Sequence, residues 1–503
     1  MTSETLSTAV GPQAASDTSG IGGHPGGLTT LFFTEMWERF SYYGMRGLLV
    51  LFLKAAVEEG GFGLNAATAT AIYGLYTSSV YLVGLPGGWI ADRILGHRRA
   101  VFIGGVIIAL GHFSMAIGWV VSFYLGLVLI VIGTGLLKPN VSAIVGDLYP
   151  EGGARRDAGF SVFYMGINLG AFIGPLLCGY LGEKVNWHLG FAAAGVGMVF
   201  GLIQYRVGFK RMGTAGLKDV KPDERGRSVL MLLAGLGVFA LIAGILAILN
   251  SRGTVHLTPQ GVAGSLGYAI GALAVAYFGF LLILGRFNAV EKKRIVVILV
   301  LFIAATMFWC GFEQAGSSMN LFAKDFTNRV VFSREMPASW LQSVNPLLII
   351  GFAPIFGALW VRLGNRQPSI PAKFALGLIQ LGVGFSVLAW ASVYVGNTND
   401  PNKVTPVWLI ATYFFHTTGE LCLSPVGLSA MTKLSPPKLV GQMMGIWFMA
   451  TAFGNLMAGL LAGKMESMGL VELFGSVALW TAGAGLLLLL ISGLVKRLTG
   501  GVN

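Results

Sequence analysis

About 14 stretches of roughly 20 predominantly apolar residues follow one another along this chain, and each is long enough to cross a bilayer as a helix. A segment in lipid must satisfy its own backbone hydrogen bonds, which a helix does and an isolated strand does not. Of the 503 residues, 54% are hydrophobic and only 11% are charged, which lies outside the range of water-soluble globular proteins. These features predict an all-α polytopic membrane protein.

The order of the spans predicts two bundles. The longest charged connection, VGFKRMGTAGLKDVKPDERGRS, separates six spans from eight, and two of those eight, 228–249 and 261–284, carry no charged residue and are interpreted as an inserted helical hairpin. Removing the hairpin leaves six spans on each side, a known plan of secondary transporters with a site between the halves. The predicted spans are 30–55, 68–94, 98–119, 121–148, 158–182, 188–208, 228–249, 261–284, 293–323, 337–362, 371–396, 403–432, 438–465 and 470–497. The predicted domains are a disordered cytoplasmic tail (1–28), an N-terminal six-helix bundle (29–209), a linker with the hairpin (210–292) and a C-terminal six-helix bundle (293–498).

The net charge of +12 is distributed along the chain in a way that fits a membrane protein rather than a nucleic-acid-binding protein. Alternate loops are basic, as the positive-inside rule requires of cytoplasmic loops, so both termini are predicted to be cytoplasmic. The first 28 residues lack the basic region and cleavage pattern of a signal peptide. The basic residues of these loops are Arg93, Arg98, Arg99, Arg155, Arg156, Lys210, Arg211, Lys218, Lys221, Arg225, Arg227, Lys292, Lys293, Arg294, Arg362, Arg366, Lys433, Lys438, Lys496 and Arg497.

The first span, LFFTEMWERFSYYGMRGLLVLFL, carries four charged residues, Glu35, Glu38, Arg39 and Arg46. A charged side chain at the centre of a spanning helix costs about 2.5–3.5 kcal/mol on insertion scales, so such groups face a cavity or a partner. At 100° per residue they share one helix face with two tyrosines, Tyr42 and Tyr43. An internal pair of Glu35 and Arg39 at i, i+4 explains two of the charges and leaves two more.

Further charges lie in other spans. GLLKPN places Lys138 before a proline that frees a backbone carbonyl, FWCGFEQ supplies Glu313, and GELCLSPVG supplies Glu420. With the first span these make four carboxylates and three cations, a net charge of −1 that one bound proton would cancel. The hypothesis is a proton-coupled site to which each half contributes.

Polar and aromatic residues near these charges suit a peptide backbone, although interhelical hydrogen bonding explains each one alone equally well. They are Tyr81, Asn168, Asn345 and Ser424. His112 is interpreted as a packing residue and His416, four residues before Glu420, as a structural hydrogen-bonding residue. The three cysteines, Cys178, Cys310 and Cys422, fall inside spans without metal-ligand spacing and predict neither disulfides nor zinc.

The segment GGWIADRILGHRR resembles the loop signature of the major facilitator superfamily, in which Asp92 and Arg93 would clamp neighbouring helices. With TEMWERFSYYGMR, FSVFYMGINLGAF, GLLKPN, FWCGFEQ and GELCLSPVG in order, nearly the whole chain is similar to the proton-dependent oligopeptide transporters (the POT or PTR peptide transporters) of bacterial type. The resemblance implies the major facilitator fold with an inserted two-helix hairpin. It also implies uptake of di- and tripeptides by alternating access, driven by protons without a cofactor or a metal. It further implies a protein of the bacterial cytoplasmic (inner) membrane, in contact with lipid, that functions as a monomer.

The resemblance also implies roles for single residues. Glu35, Glu38 and Arg39 would couple proton binding to the substrate, and Arg39 with Lys138 would attract the peptide carboxylate, assisted by Tyr43 and Tyr81. Glu420 would bind the peptide amino terminus, and Lys138 with Glu420 and Arg46 with Glu313 would form gating salt bridges, Glu313 also taking part in proton transfer. The remaining implied binding residues are Asn168, Trp309, Asn345, Ser424, Trp447 and Phe448.

One departure from the pattern concerns Gly74, which stands where the animal members carry a histidine, so coupling here must rest on carboxylates. Three other functions are considered. A facilitator for another solute, such as a sugar or nitrate, would share the fold. A peptide receptor without transport would share the binding residues. A membrane enzyme or an ATP-driven pump would need motifs such as G-x-S-x-G, H-E-x-x-H or G-x-x-x-x-G-K-[ST], which the sequence lacks.

Overall fold

The computed structural model describes residues 17–218, 220, 222–395 and 402–501, and within them nearly all regular structure is helical. The helices are α1 (Gly26–Lys54), α2 (Ala66–Leu82), α3 (Gly84–Ile90), α4 (His97–Ala116), α5 (Val120–Asp147), α6 (Gly153–Tyr180), α7 (Trp187–Val207), α8 (Pro222–Ser251), α9 (Pro259–Gly279), α10 (Ala289–Phe312), α11 (Ser318–Phe326), α12 (Val344–Leu363), α13 (Ile370–Val393), α14 (Val407–Leu434), α15 (Val440–Ala462), α16 (Met465–Met468) and α17 (Leu470–Leu498). A two-stranded antiparallel hairpin, β1 (Val330–Val331) and β2 (Arg334–Glu335), follows α11. The predicted all-α class is confirmed.

Each predicted span corresponds to a helix or a pair of helices. Among the described residues, 11 helical segments are long and apolar enough to cross a membrane on those two grounds alone. The segments beginning with α1, α2 and α14 are not among these 11. Every 18-residue window of α1 contains at least three charged residues, and α2 has only 17 residues.

Two predicted spans contain breaks that the sequence analysis did not predict. The second span, predicted as one helix over 68–94, changes from α2 to α3 at Val83, and a wider helical turn over Ala91–Leu95 ends it. The ninth, predicted over 293–323, stops at Phe312, because Ser317 leaves helical geometry (φ −123°, ψ −100°) and starts a separate helix, α11. Hydropathy continues across both sites, so the apolar pattern contains no signal for these breaks.

The beginning of the chain differs in part from the predicted tail. Helix α1 begins at Gly26, inside the predicted 1–28 segment. Asp17 accepts a hydrogen bond from the Gly26 amide at 2.9 Å, and His24 Nδ1 lies 2.8 Å from the Tyr149 hydroxyl. Residues 1–16 of that tail, like Lys221 in the linker, lie outside the described residues.

The helices pack as an N-terminal half, α1–α7, and a C-terminal half, α10–α17. Helix α1 packs against α6 and α7, α4 against α5, and α13 against α14 and α17; between the halves α2 packs on α15 and α6 on α12. Helices α8 and α9 form the hairpin. The most apolar window of α8 has no buried residue, whereas α9 packs against α2 and α15.

The two ends of the helix bundle differ in how the halves are joined. We call the end with the loops 83–97, 147–153 and 434–440 the basic end, and the end with the loops 55–66 and 313–338 the opposite end. At the opposite end hydrogen bonds and ion pairs join the halves, for example Lys54 Nζ to Asp325 Oδ2 at 3.0 Å and Asn320 Nδ2 to the Gly47 carbonyl at 2.9 Å. At the basic end no hydrogen bond or ion pair joins described residues of the two halves. Among the described residues, the polar contacts that join the two halves therefore lie at the opposite end.

Candidate functional site

Three charged side chains of α1 form a buried cluster. Glu35, Glu38 and Arg39 are 2%, 1% and 3% exposed. Arg39 Nε lies 3.1 Å from Glu35 Oε1 and also pairs with Glu38. Glu35 Oε2, Glu38 Oε1 and Arg39 Nη2 have no hydrogen-bond partner within the part of the chain that the structure describes. Buried polar atoms are normally paired, so the cluster has free capacity for a proton, water or a ligand.

Lys138 supplies a cation from α5 near this cluster. Its Nζ lies 4.1 Å from the centroid of the Tyr81 ring of α2, and the side chain is half-buried. Lys138 makes no ion pair with a described carboxylate, and the implied pair with Glu420 is absent in this conformation. A cation held on an aromatic face without a counter-ion is suited to an anionic ligand.

Arg46 and Glu313 form an ion pair between the halves. Arg46 Nη2 lies 2.6 Å from Glu313 Oε2, and both side chains are buried. Arg46 Nε also donates to the Tyr73 hydroxyl at 2.6 Å, and that hydroxyl donates to the Glu313 carbonyl at 3.4 Å. The Tyr43 ring lies 5.5 Å from the guanidinium carbon. The pair is on the side of the α1 cluster that faces the opposite end.

Glu420, on α14, contributes a buried carboxylate from the C-terminal half. Glu420 is 9% exposed, and Asn345 Nδ2 donates to its Oε2 at 3.3 Å and to Thr417 Oγ1 at 2.9 Å. Asn345 therefore orients Glu420, and one predicted binding residue positions another. Ser424, one helical turn further along α14, is half-buried.

The three aromatic residues predicted to line side-chain pockets have different surroundings. Trp309 is 8% exposed and its buried Nε1 has no partner among the described residues. Trp447 is 5% exposed and packs against Phe374 and the backbone at Gly427, which makes it largely a packing residue here. Phe448 is half-buried.

Asn168 and His416 make contacts that the sequence did not indicate. Asn168 donates to the Tyr164 carbonyl of its own helix at 2.9 Å. His416 is buried against Phe385, with 4.8 Å between ring centroids, and interacts with the Leu381 backbone. Its structural hydrogen-bonding role stays a prediction.

Asp92 and Arg93 lie outside the site, at the basic end. Asp92 Oδ1 is 2.6 Å from Lys218 Nζ, and Arg93 Nη1 is 4.0 Å from Glu224 Oε2 of α8. They tie the second span to the linker and to α8, and Asp92 Oδ1 also lies 3.6 Å from Nε2 of His97, the first residue of α4. The clamp between neighbouring helices stays a prediction.

Sequence reasoning missed Tyr73 and Thr417 as members of the site. Thr417 lies three residues before Glu420, so helical spacing from a charged residue was an available signal for it. Tyr73 had no such signal, because α2 contains no charged residue. Within the described residues no group of three or more His, Cys, Asp or Glu side chains could hold a metal ion.

The sequence and the structure were compared with known proteins. A family model described as the POT family matches residues 98–474. The chain is 43% identical over 496 residues to the peptide transporter YePEPT of Yersinia enterocolitica, covering 95% of each chain. It is 35% identical over 491 residues to a di-/tripeptide transporter of Lactococcus lactis, covering 96% of this chain and 98% of the relative. A crystal structure of a peptide transporter POT in complex with sulfate superposes with a TM-score of 0.88 at 43% identity, covering 96% of this chain and 98% of the other.

Proposed function

Because this chain belongs to the POT family, we propose that it is a proton-coupled symporter that imports di- and tripeptides by alternating access. The observation that carries the proposal is the division of buried charge between the halves. Arg39 and Lys138 lie in the N-terminal half, and Glu420 lies in the C-terminal half. A peptide is a zwitterion, so a site with cations on one wall and a carboxylate on the other matches its two ends.

The peptide carboxylate would bind Arg39 and Lys138. Arg39 Nη2 has no described hydrogen-bond partner and Lys138 has no described counter-ion, so both can accept an anion without first losing a full pair. Tyr43 and Tyr81 flank them. The peptide amino group would bind Glu420, which Asn345 orients, and Asn168, Trp309, Ser424, Trp447 and Phe448 would contact the rest of the peptide.

Protons would bind the carboxylates. Glu35 and Glu38 share one guanidinium, so their cluster carries a net charge of −1 that a proton neutralises. Glu313 is held by Arg46 across the halves. Protonation of Glu313 would weaken that pair, after which Lys138 and Glu420 could pair and close the basic end while the opposite end opens.

The distribution of charge supports an orientation in the membrane. Basic loops at one end support a cytoplasmic location for that end and for both termini under the positive-inside rule. In that orientation the polar contacts between the halves lie at the end that faces away from the cytoplasm. The domains are proposed as the N-terminal bundle 29–209, the linker and hairpin 210–292 and the C-terminal bundle 293–498, in the inner membrane of a bacterium as a monomer surrounded by lipid.

The test is uptake of labelled dialanine into liposomes that contain the purified protein, with an inward proton gradient and a potential that is negative inside. We expect accumulation that a protonophore abolishes and that unlabelled tripeptides inhibit. Binding of dialanine without flux would contradict transport and indicate a receptor. A lack of both binding and flux would indicate another solute.

A further inference from the structure

The structure contains a seam between the halves at the opposite end, formed by α6 and the helical segment that begins at Ala338. Ser343 Oγ donates to the Phe172 carbonyl at 2.8 Å, and Trp340 Nε1 donates to the Leu176 carbonyl at 2.8 Å. Further along α6, a Cβ placed on Gly179 would lie only 2.1 Å from Ser339 Oγ. These contacts recur about once per turn of α6, so this face of α6 packs closely against the segment that begins at Ala338.

Glu183 closes the seam at its outermost point. Its Oε2 accepts from the Ala338 amide at 2.9 Å, and its Oε1 accepts from the Ser339 amide at 2.9 Å and from Ser339 Oγ at 2.6 Å. Ala338 and Ser339 are both 0% exposed. One carboxylate of the N-terminal half therefore satisfies the first amides of a helix that belongs to the C-terminal half.

This arrangement replaces a local helix cap. The residue at the N-cap position, Pro337, makes no side-chain cap hydrogen bond. The helical segment runs from Ala338 to Arg366, and the first amides of such a segment need acceptors from outside it. Its N-terminal end also carries a partial positive charge that favours a carboxylate. The cap is thus present only while the two halves are together.

We propose that Glu183 is a positioning residue for transport, and that its removable cap on the helical segment that begins at Ala338 sets how strongly the opposite end stays closed. We call Glu183, Ala338 and Ser339 the Glu183 latch. This inference rests on the alternating-access part of the proposed function. When the halves separate, the carboxylate loses three hydrogen bonds and the helix loses its cap, and water replaces both.

The neighbouring Lys184 provides a matched control. It also reaches across the halves, to Glu335 Oε2 at 2.7 Å, but its side chain is 28% exposed and that of Glu335 is 47% exposed. Exposed ion pairs contribute little, because solvent screens them. Lys184→Gln should therefore change the equilibrium between the two states much less than Glu183→Gln, although both remove one charge at adjacent positions.

The test measures distances at both ends of the protein in lipid nanodiscs by pulsed electron spin resonance. Spin labels at Val120→Cys and Val407→Cys report on the opposite end, where both positions are exposed. Labels at Arg99→Cys and Lys438→Cys, also exposed, report on the basic end. The native cysteines are buried and are replaced in the background.

At the opposite end, we expect Glu183→Gln to raise the ratio of the long-distance population to the short-distance population roughly tenfold, because a charge-assisted hydrogen bond is lost. The basic end should show the reciprocal shift to shorter distances. Ser339→Ala should give a smaller shift in the same direction, and it decides the matter if Glu183→Gln does not fold. For Lys184→Gln, the ratio of the two populations should stay within about threefold of that of the parent protein.

An unchanged distribution in Glu183→Gln, or a shift no larger than that of Lys184→Gln, would overturn the latch. Broadening at both ends without a reciprocal change would also overturn it, because that is the signature of general destabilisation. The measurement needs no peptide. A distance shift without dialanine uptake would therefore contradict the proposed substrate and support the latch. Dialanine uptake without a distance shift would contradict the latch alone.

Discussion

The two arginines of α1 are both buried but have different surroundings. Arg46 is engaged by Glu313 from the other half and by the Tyr73 hydroxyl. Among the residues that the structure describes, Arg39 has ion-pair partners only on its own helix, and its Nη2 has no hydrogen-bond partner. This difference separates a residue suited to hold the halves together from one suited to bind a ligand.

We predict that Glu38→Gln keeps exchange of peptide across the membrane within about threefold and loses accumulation. A potential of 100 mV supplies about 2.3 kcal/mol per proton, so the parent can accumulate peptide about fiftyfold and the variant should stay near one. The measurement compares counterflow with gradient-driven uptake in liposomes. Glu58→Gln, at an exposed loop position, is the control. Full accumulation by Glu38→Gln would refute the coupling role.

We predict that Lys138→Gln selectively impairs binding of peptides that have a free carboxylate. The parent should prefer dialanine to dialanine amide, and the variant should lose at least about tenfold of that preference, because one charge-assisted contact disappears. Competition against labelled dipeptide gives both affinities. An equal loss for the acid and the amide would show that Lys138 acts on folding or gating instead.

At the scale of the helices, α2 and α15 cross the boundary between the halves through glycines. A Cβ on Gly459 would lie 2.5 Å from the Thr70 carbonyl oxygen and 2.7 Å from the Gly74 Cα. The crossing depends on the missing side chains at both positions. Gly74, where the resembled animal proteins carry a histidine, thus has a packing role here.

We predict that Gly459→Ala destabilises the protein by about 1–3 kcal/mol, the usual effect of overpacking. Gly475→Ala in α17 is the matched control, since a Cβ there has no neighbour within 4 Å. Thermal unfolding in detergent should show a lower midpoint for the first variant and an unchanged or higher one for the second. Equal midpoints would mean that the helices separate at little cost.

At the scale of the whole molecule, the halves are joined at the opposite end by contacts of unequal burial. Arg46 with Glu313 and the Glu183 latch involve buried groups, whereas Lys184 with Glu335 is exposed. The hydrogen bond from Lys184 and the nearby Arg329 guanidinium lower the pKa of Glu335 below its ordinary value. Because this pKa is lower in the folded than in the unfolded protein, Glu335 contributes fully to stability at pH values above its pKa in the unfolded protein, near 4.3. The contribution is lost only as the pH falls through the lower pKa of the folded protein.

We therefore predict that Glu335→Gln leaves the shape of the pH profile of uptake unchanged between about pH 5.5 and 8, where Glu335 stays ionised. Uptake by parent and variant at a fixed membrane potential gives the comparison. Glu38→Gln should alter the profile in the same assay. A displaced profile for Glu335→Gln would make the exposed contact part of the proton response.

The sequence by itself determined the class of the protein, the family and the order of its spans. Apolar length and charge placement are local properties of the sequence. They identified Glu35, Glu38, Arg39 and the basic loops without any knowledge of which residues these groups contact in the fold. The motifs indicated the same family that the comparisons then showed.

Only the tertiary structure decided which groups meet across the halves. The break at Ser317 depends on backbone geometry. The hydrogen bond that Arg46 donates to Tyr73 and the cap that Glu183 provides for Ala338 depend on residues far apart in the chain. Glu183 follows a spanning helix and has no local pattern around it that indicates a cap. Its role arises because another helical segment begins at Ala338, after an N-cap residue, Pro337, that offers no side-chain acceptor, and packing of the halves brings the two together.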